Sequence, residues 1–567
     1  MSGAALLAII RSGQGGSAGG RSNATLPERV SRNLWALGSV CFVGAVAVYR
    51  LYALRNARYP GHADPAFYYN VAQNLDAGRG PKVDFIWEFL TGQPDLPRYA
   101  FDYWLPMPSV LMWIAVHFSH GLAAALTVSV VMSVVLAAGT YWLARGLTRS
   151  QWVPAAAAAV VTVQPVITRF SVQAESANYL AAFGVLTMAA AVGARSRPWL
   201  WPVAGVMAGL AGLSRNEGLL LIIVVVIGAA ASPTNRHKAL PVAMTLAGYV
   251  VVTLPLYVMN AIYAGAPMLS AFTKVPFINT YEDLFSPHVD QSFRALLGGG
   301  PVTFAVLRAR ALVNEISAGF ASMFPPDAVL ALLLLGSALS RTDRSTNSEA
   351  VSWRSRLHLV AFQWLRSAIA WPWLVPAGFA VVVVVFYALV VPVVSSAGGV
   401  DKAMATIVPV VVVGAILQLQ KLRFRPAATA SIVAVMALGP LLTLPASNAY
   451  IGANNQTGDG AAMLTSSLRT EQMCIGTNVV LMTRNPWEIT QATGFPTVMI
   501  PNAPLAGILE VAHRYRVTDI QLSQTRVWAL AGAVKQADAG YGPLAPAPTF
   551  PDHTVYRIRA QILNDTC

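Results

Sequence analysis

Residues 55–89 read RNARYPGHADPAFYYNVAQNLDAGRGPKVDFIWEF and directly follow an apolar run at 34–54. Asp64 before Pro65 is a helix-start signal, because Asp accepts from free first-turn amides and proline is tolerated at the first helical position. The helix is expected to run to about Ala77 and stop at Gly78. Phe67, Val71 and Leu75 recur every four residues, an apolar stripe suited to lying in a membrane interface. A second such helix is expected over Met107–Phe118. A polar, charged stretch with an amphipathic helix immediately after a long apolar segment reads as a loop at a membrane surface.

The rest of the chain agrees. Of 567 residues, 55% are hydrophobic and only 11% charged, against roughly 25% charged in soluble domains, and the mean hydropathy is +0.53. Apolar windows place eleven spans, near 34–54, 121–144, 153–168, 177–194, 199–214, 217–232, 240–264, 326–340, 369–394, 403–420 and 426–445. As one helix, Trp199–Ala231 would be about 50 Å long, too long for one crossing, so Arg215-Asn216-Glu217 reads as a tight outer turn. Residues 1–33 are Gly-, Ser- and Arg-rich and are expected to be a disordered cytoplasmic tail; they lack a cleavable signal pattern, so the first span is read as an uncleaved anchor.

Lys and Arg near span ends stay cytoplasmic. With the N-terminus inside, the internal segments carry 18 basic and three acidic residues. Outer loops before residue 446 carry 13 and 14, and the remaining tail eight of each. The net charge of +14 is therefore a topology signal rather than a nucleic-acid surface. Orientation follows: an inner-membrane, multi-pass chain, with the N-terminus cytoplasmic and residues 446–567 outside.

In that tail the apolar runs shorten. Asn478–Thr483, Thr497–Pro501, Asp519–Ser523 and Thr554–Arg559 read as strands, and Pro504–Arg516 and Thr525–Ala537 as helices between them, a small α/β extracytoplasmic domain. Cys474 and Cys567 fall in it, where an exported compartment permits a disulfide. Cys41 lies in the first span and reads as a small apolar side chain.

By itself Asp64 reads first as a helix cap. However, Asp64, Tyr68, Ala72, Leu75 and Gly78 form D-x-x-x-Y-x-x-x-A-x-x-L-x-x-G soon after the first span. This resembles the first external loop of the GT-C superfamily of membrane glycosyltransferases, which includes protein mannosyltransferases, aminoarabinose transferases and arabinosyltransferases. Leu213–Leu219 resembles the polar turn between two short spans in many bacterial members. Residues 398–409, GGVDKAMATIVP, resemble the later outer loop that brings a basic residue to the donor phosphate. The WWD-type signature of oligosaccharyltransferases is absent. The resemblance implies an α-helical polytopic GT-C-like catalytic domain over 34–445, with a first outer loop at 55–120 and a long one at 265–325. It also implies a polyprenyl-phosphate-linked sugar donor and a role for Asp64 as general base.

Such a transfer needs a carboxylate near the membrane surface, cations for the leaving phosphate and a groove for the lipid. Asp64 is the candidate base, and Arg215 and Lys402 are the first candidates for the phosphate, with Arg58, Arg169 and Arg55 behind them. Glu175, Glu217, Tyr68, His62, Glu282 and Asp283 are candidates for orienting the base, sugar or acceptor. The bland alternatives are snorkelling cations, an Arg169–Glu175 or Arg215–Glu217 salt bridge, a solvated turn at Glu282-Asp283 and an interfacial aromatic belt at Tyr68, Tyr69, Trp87, Tyr103 and Trp104. His62 near Asp64 leaves room for a divalent ion, but too few ligands cluster for an obligatory metal. Gly298-Gly299-Gly300 gives the long outer segment 267–325 the freedom expected of a lid that orders over donor or acceptor. The acceptor is a glycan, lipid or protein hydroxyl. A transporter or flippase, an envelope polysaccharide polymerase or ligase of another fold, and a surface scaffold are the competing classes.

Overall fold

A computed structural model of the chain describes residues 26–232, 238–268, 271–290, 292–323, 372–396, 398–420, 425–522, 527–550 and 554–561. The apolar windows become helices α1 (Leu26–Ala53), α4 (Leu122–Leu147), α5 (Val153–Thr162), α6 (Ser176–Gly193), α7 (Leu200–Ser214), α8 (Glu217–Ala231), α9 (Ala239–Tyr263), α11 (Leu374–Val385), α12 (Gly399–Leu419) and α13 (Arg425–Ala462). The loop helices are α2 (Asp64–Asp76), α3 (Met107–Ser119) and α10 (Gly300–Ala321). Among the described residues five helices are long and apolar enough to cross a membrane. The window at 326–340 lies outside the described residues. Outward residues of α9, including Val251 at 71% and Ile262 at 70% exposure, make an apolar surface that suits hydrocarbon and not water. Cys41 is free and exposed on α1, so it faces outward and is not buried.

The Trp199–Ala231 stretch folds as a helical hairpin that turns at Arg215-Asn216. Its closeness needs glycine: a Cβ on Gly218 would lie 2.2 Å from the Gly212 backbone nitrogen. In turn α7 packs on α9 and on α6, and α6 on α4, with α12 against α6. One single π turn, Phe386–Val390, interrupts the end of α11.

The tail contributes five strands to a six-stranded sheet in the order β2-β5-β4-β6-β8-β7, whose edge strand β2 is Phe85–Ile86. Its strands β4 (Leu481–Thr483), β5 (Thr497–Met499), β6 (Asp519–Gln521) and β8 (Val555–Ile558) lie within the segments expected to be strands. β7 (Leu544–Pro546) joins them, with β4, β5 and β6 parallel and β8 and β7 antiparallel. Helices α14 (Leu464–Ile475), α15 (Pro486–Thr493), α16 (Leu505–Arg514) and α17 (Val527–Asp538) surround them.

Four features differ from the sequence reading. First, the sheet is shared: β2 (Phe85–Ile86), from the loop that follows α1, pairs in parallel with β5 and so ties loop to tail. Nearby, β1 (Lys82–Val83) and β3 (Arg98–Tyr99) form a separate small ribbon. Second, α13 runs unbroken past residue 446, so the tail is continuous with a bundle helix. Third, α1 begins at Leu26, inside the stretch expected to be disordered, whose residues 1–25 lie outside the described chain. Fourth, α2 does not rest on lipid. Pro65 to Ala72 are all buried, because the β2 loop and α15 cover what the bundle leaves open, with Phe67 4.3 Å from Trp104 between ring centroids.

Cys474 is buried and disulfide-bonded. Cys567 lies outside the described residues.

Candidate active site

Four charged residues named from the sequence, Asp64, Arg215, Glu217 and Lys402, line one cleft, and a fifth, Glu175, pairs with Lys402. α2 starts at Asp64, and its N-cap is Ala63 with φ +54°. The Asp64 carboxylate is directed away from the helix amides: its Oδ2 accepts from Lys402 Nζ at 2.5 Å. Lys402 sits in the first turn of α12 and reaches Glu175 Oε2 at 3.0 Å as well. Glu175 caps α6, where its Oε1 accepts from Ser176 N at 2.8 Å and from the Ser176 hydroxyl at 2.9 Å. Arg215 Nη1 donates to Ser176 Oγ at 3.1 Å, and Nε and Nη2 donate to Glu217 Oε1 at 3.0 and 2.9 Å. The Tyr387 hydroxyl, placed by the π turn, reaches Glu217 Oε1 at 2.5 Å and the Gly399 carbonyl at 3.0 Å. The chain of contacts thus leaves α12 at Lys402 and returns to it at Gly399, joining α2, α6, the α7–α8 turn and the end of α11.

The charges do not balance. Asp64, Glu175 and Glu217 face Lys402 and Arg215, and both cations are already engaged. Asp64 and Lys402 keep 15% and 20% of their side chains exposed, against 4% and 3% for Glu175 and Glu217. The first pair is therefore the more open to a ligand. Tyr68, one turn along α2, lines the same cleft; burial, then the Asp64 and Glu175 carboxylates, pushes its hydroxyl well above the usual value, so it remains a donor. Trp87, Tyr103, Trp104 and Tyr281 complete the wall away from the helices.

No family model matches the chain, and no curated protein does. Solved structures do. ArnT from Cupriavidus metallidurans in the apo state aligns with a TM-score of 0.54, over 87% of this chain and 94% of that one, at 14% identity. The same protein bound to undecaprenyl phosphate aligns at 0.50, over 92% and 97%, with 12% identity. The archaeal oligosaccharyltransferase AglB from Archaeoglobus fulgidus, in complex with an inhibitory peptide and a dolichol-phosphate, aligns at 0.50, over 86% and 69%, with 14% identity. The chain has the GT-C fold. At these identities the likeness carries the architecture, and the chemistry of this chain rests on its own cleft.

The remaining candidates are elsewhere. Arg58 pairs with Asp459 at 2.7 Å, largely in solvent. Exposed Arg169 lies over the Phe170 ring rather than on Glu175, and Arg55 over Tyr52. His62 bonds Glu488 of the tail domain instead of Asp64. Glu282 pairs with Arg484 at 3.1 Å, and Asp283 accepts from the Asn279 and Thr280 amides as a cap. The segment behind the expected glycine lid is the 22-residue helix α10, packed on α12. Among the described residues no group of three His, Cys, Asp or Glu is placed to hold a metal. Sequence reading missed Tyr387, Ser176 and Tyr281. Tyr387 left one signal, a hydroxyl inside an apolar run; Tyr281 was passed over for the acids beside it.

Proposed function

We propose that the chain is a membrane glycosyltransferase that moves a sugar from a polyprenyl-phosphate donor to an acceptor hydroxyl at the outer membrane face, with inversion. The carrying observation is the Lys402 ammonium held between Asp64 and Glu175 in the exposed part of the cleft. The acceptor oxygen attacks the anomeric carbon as the bond to the phosphate oxygen breaks. The acceptor's proton passes to Asp64, and polyprenyl phosphate leaves toward Lys402 and Arg215. The donor phosphate must compete for cations that carboxylates already occupy. Its arrival at Lys402 draws the ammonium from Asp64 and frees the base, so donor binding precedes and enables deprotonation. An ammonium between two carboxylates also supplies the local cation, and a divalent ion is not required in this proposal. Net positive internal segments support an N-terminus inside and the cleft outside. A transporter would instead gather its polar residues at mid-membrane, whereas Asp64, Glu175, Arg215 and Lys402 all lie at helix ends.

The test uses labelled polyprenyl-phosphate sugar, with the full chain in membranes and with or without a chelator. Asp64→Asn is expected to lower transfer by about 10²- to 10⁴-fold, the usual contribution of a positioned base, while donor binding tightens because Lys402 loses a competitor. Transfer at the normal rate, or a chelator that abolishes it, would sink the corresponding part of the proposal.

A further inference from the structure

The wall of the cleft away from the helix ends is aromatic, and it continues to the surface. Trp87 and Trp104, which line the cleft, stack at 4.2 Å between centroids with planes 23° apart. Trp487, from the first turn of α15 in the tail domain, meets them edge-on at 6.2 and 6.5 Å. Beyond it the His62 ring lies 6.3 Å away, with 63% of its side chain exposed and its Nδ1 bonded to the Glu488 carboxylate. The rings are therefore contiguous from the cleft wall to the exposed His62, and they come jointly from the first outer loop and the tail.

A structural core of aromatic rings would account for the packing but not for one atom. Trp487 is only 6% exposed, and its indole N–H has no hydrogen-bond partner. Buried indole donors ordinarily find one, since an unmet buried donor costs about 1–3 kcal/mol. A ligand hydroxyl would supply it.

We infer that Trp487, with Trp87, Trp104 and His62, forms an acceptor subsite for carbohydrate. A sugar offers apolar C–H faces to flat rings and a rim of hydroxyls to the indole N–H and to the His62–Glu488 pair. Strand addition, one way a peptide is captured, has little to use here, because the edge strand β2 is two residues long. That this carbohydrate is the acceptor rests on the proposed transfer; its binding does not.

The experiment therefore omits the donor. The full chain in lipid nanodiscs is titrated with neutral hexasaccharides of glucose, mannose and arabinose units and with a Ser/Thr-rich peptide of similar mass, followed by saturation-transfer NMR. At least one hexasaccharide is expected to bind. Trp487→Phe, which keeps a ring and removes the N–H, should weaken it about fivefold, the size of one net hydrogen bond. His62→Ala, at the exposed end, should weaken it as well and stands in if Trp487→Phe impairs folding. No hexasaccharide binding in the millimolar range, binding of the peptide alone, or equal binding by both variants overturns the inference. Loss of transfer in Asp64→Asn with no carbohydrate binding would leave the glycosyltransferase reading standing and remove this one.

Discussion

Two clusters of buried charge lie in and beside the first outer loop, and they are built for opposite ends. In one, Arg98 donates through Nε to Asp102 Oδ2 at 2.9 Å and through Nη2 to Glu88, whose carboxylate also accepts from the Thr91 hydroxyl at 3.0 Å. Its three charged side chains are 0%, 1% and 10% exposed, all come from fifteen consecutive residues, and none of them lines the cleft. In the other, Asp64, Arg215, Glu217 and Lys402 line a cleft, Glu175 pairs with Lys402 beside it, and the five come from four distant segments. Burial of charge is therefore not a sign of function here. The informative feature is an opening through which a ligand can reach the charges.

The sharpest way to break this comparison is to exchange the readouts. Arg98→Met leaves Glu88 and Asp102 buried without a cation, which should cost about 3–5 kcal/mol of stability. Thermal unfolding of the detergent-purified chain should show a large loss, with transfer per folded molecule nearly unchanged. Asp64→Asn should do the reverse. If Arg98→Met removed transfer without moving the unfolding midpoint, the distinction between the two clusters would fail.

The difference also explains what could be read in advance. Asp64, Glu175, Arg215, Glu217 and Lys402 stand out in the sequence because carboxylates and cations at span ends are rare and expensive. Tail strands such as Leu481–Thr483 are legible because turn residues bracket short apolar runs. Three things were not legible, for reasons of long-range packing. β2 is a strand only because β5, four hundred residues later, pairs with it. The polar, glycine-bearing stretch at 446–462 is helix against its propensity because it docks on the first loop. There Asn455 accepts from the Arg58 amide at 2.8 Å, and a Cβ at Gly458 would lie 2.3 Å from Tyr59. Trp487 resembles any core tryptophan until its neighbours are placed.

A third charge cluster, in the tail, sharpens the comparison through pH. Arg557 pairs with Glu471, and Asp519 lies beside them in β6, fully buried. Burial, and then the Glu471 carboxylate, pushes Asp519 up from 3.8 to about 8. The folded state thus holds a proton that the unfolded state releases. The resulting stability is complete below pH 3.8 and is lost as pH rises through about 8. Hydrogen-exchange protection of β4 and β6 should fall over that window, and Asp519→Asn should flatten the fall. A wild-type profile as flat as the variant's would remove Asp519 from the closed class.

The smallest effect belongs to Arg58, ranked from the sequence among the phosphate ligands, and its exposed partner Asp459. Arg58 and Asp459 are 67% and 47% exposed at 2.7 Å, a geometry whose worth is about 0.2–1 kcal/mol and falls with salt. Arg58 also lies outside the cleft lining, and its backbone amide, which a side-chain change keeps, is what holds Asn455. Arg58→Ala should therefore change transfer less than about twofold and stability by less than about 0.5 kcal/mol. A tenfold rise in the donor KM in this variant would mean that the donor path extends along the α13 side of the loop, and the boundary drawn around the open cluster would have to move outward to include it.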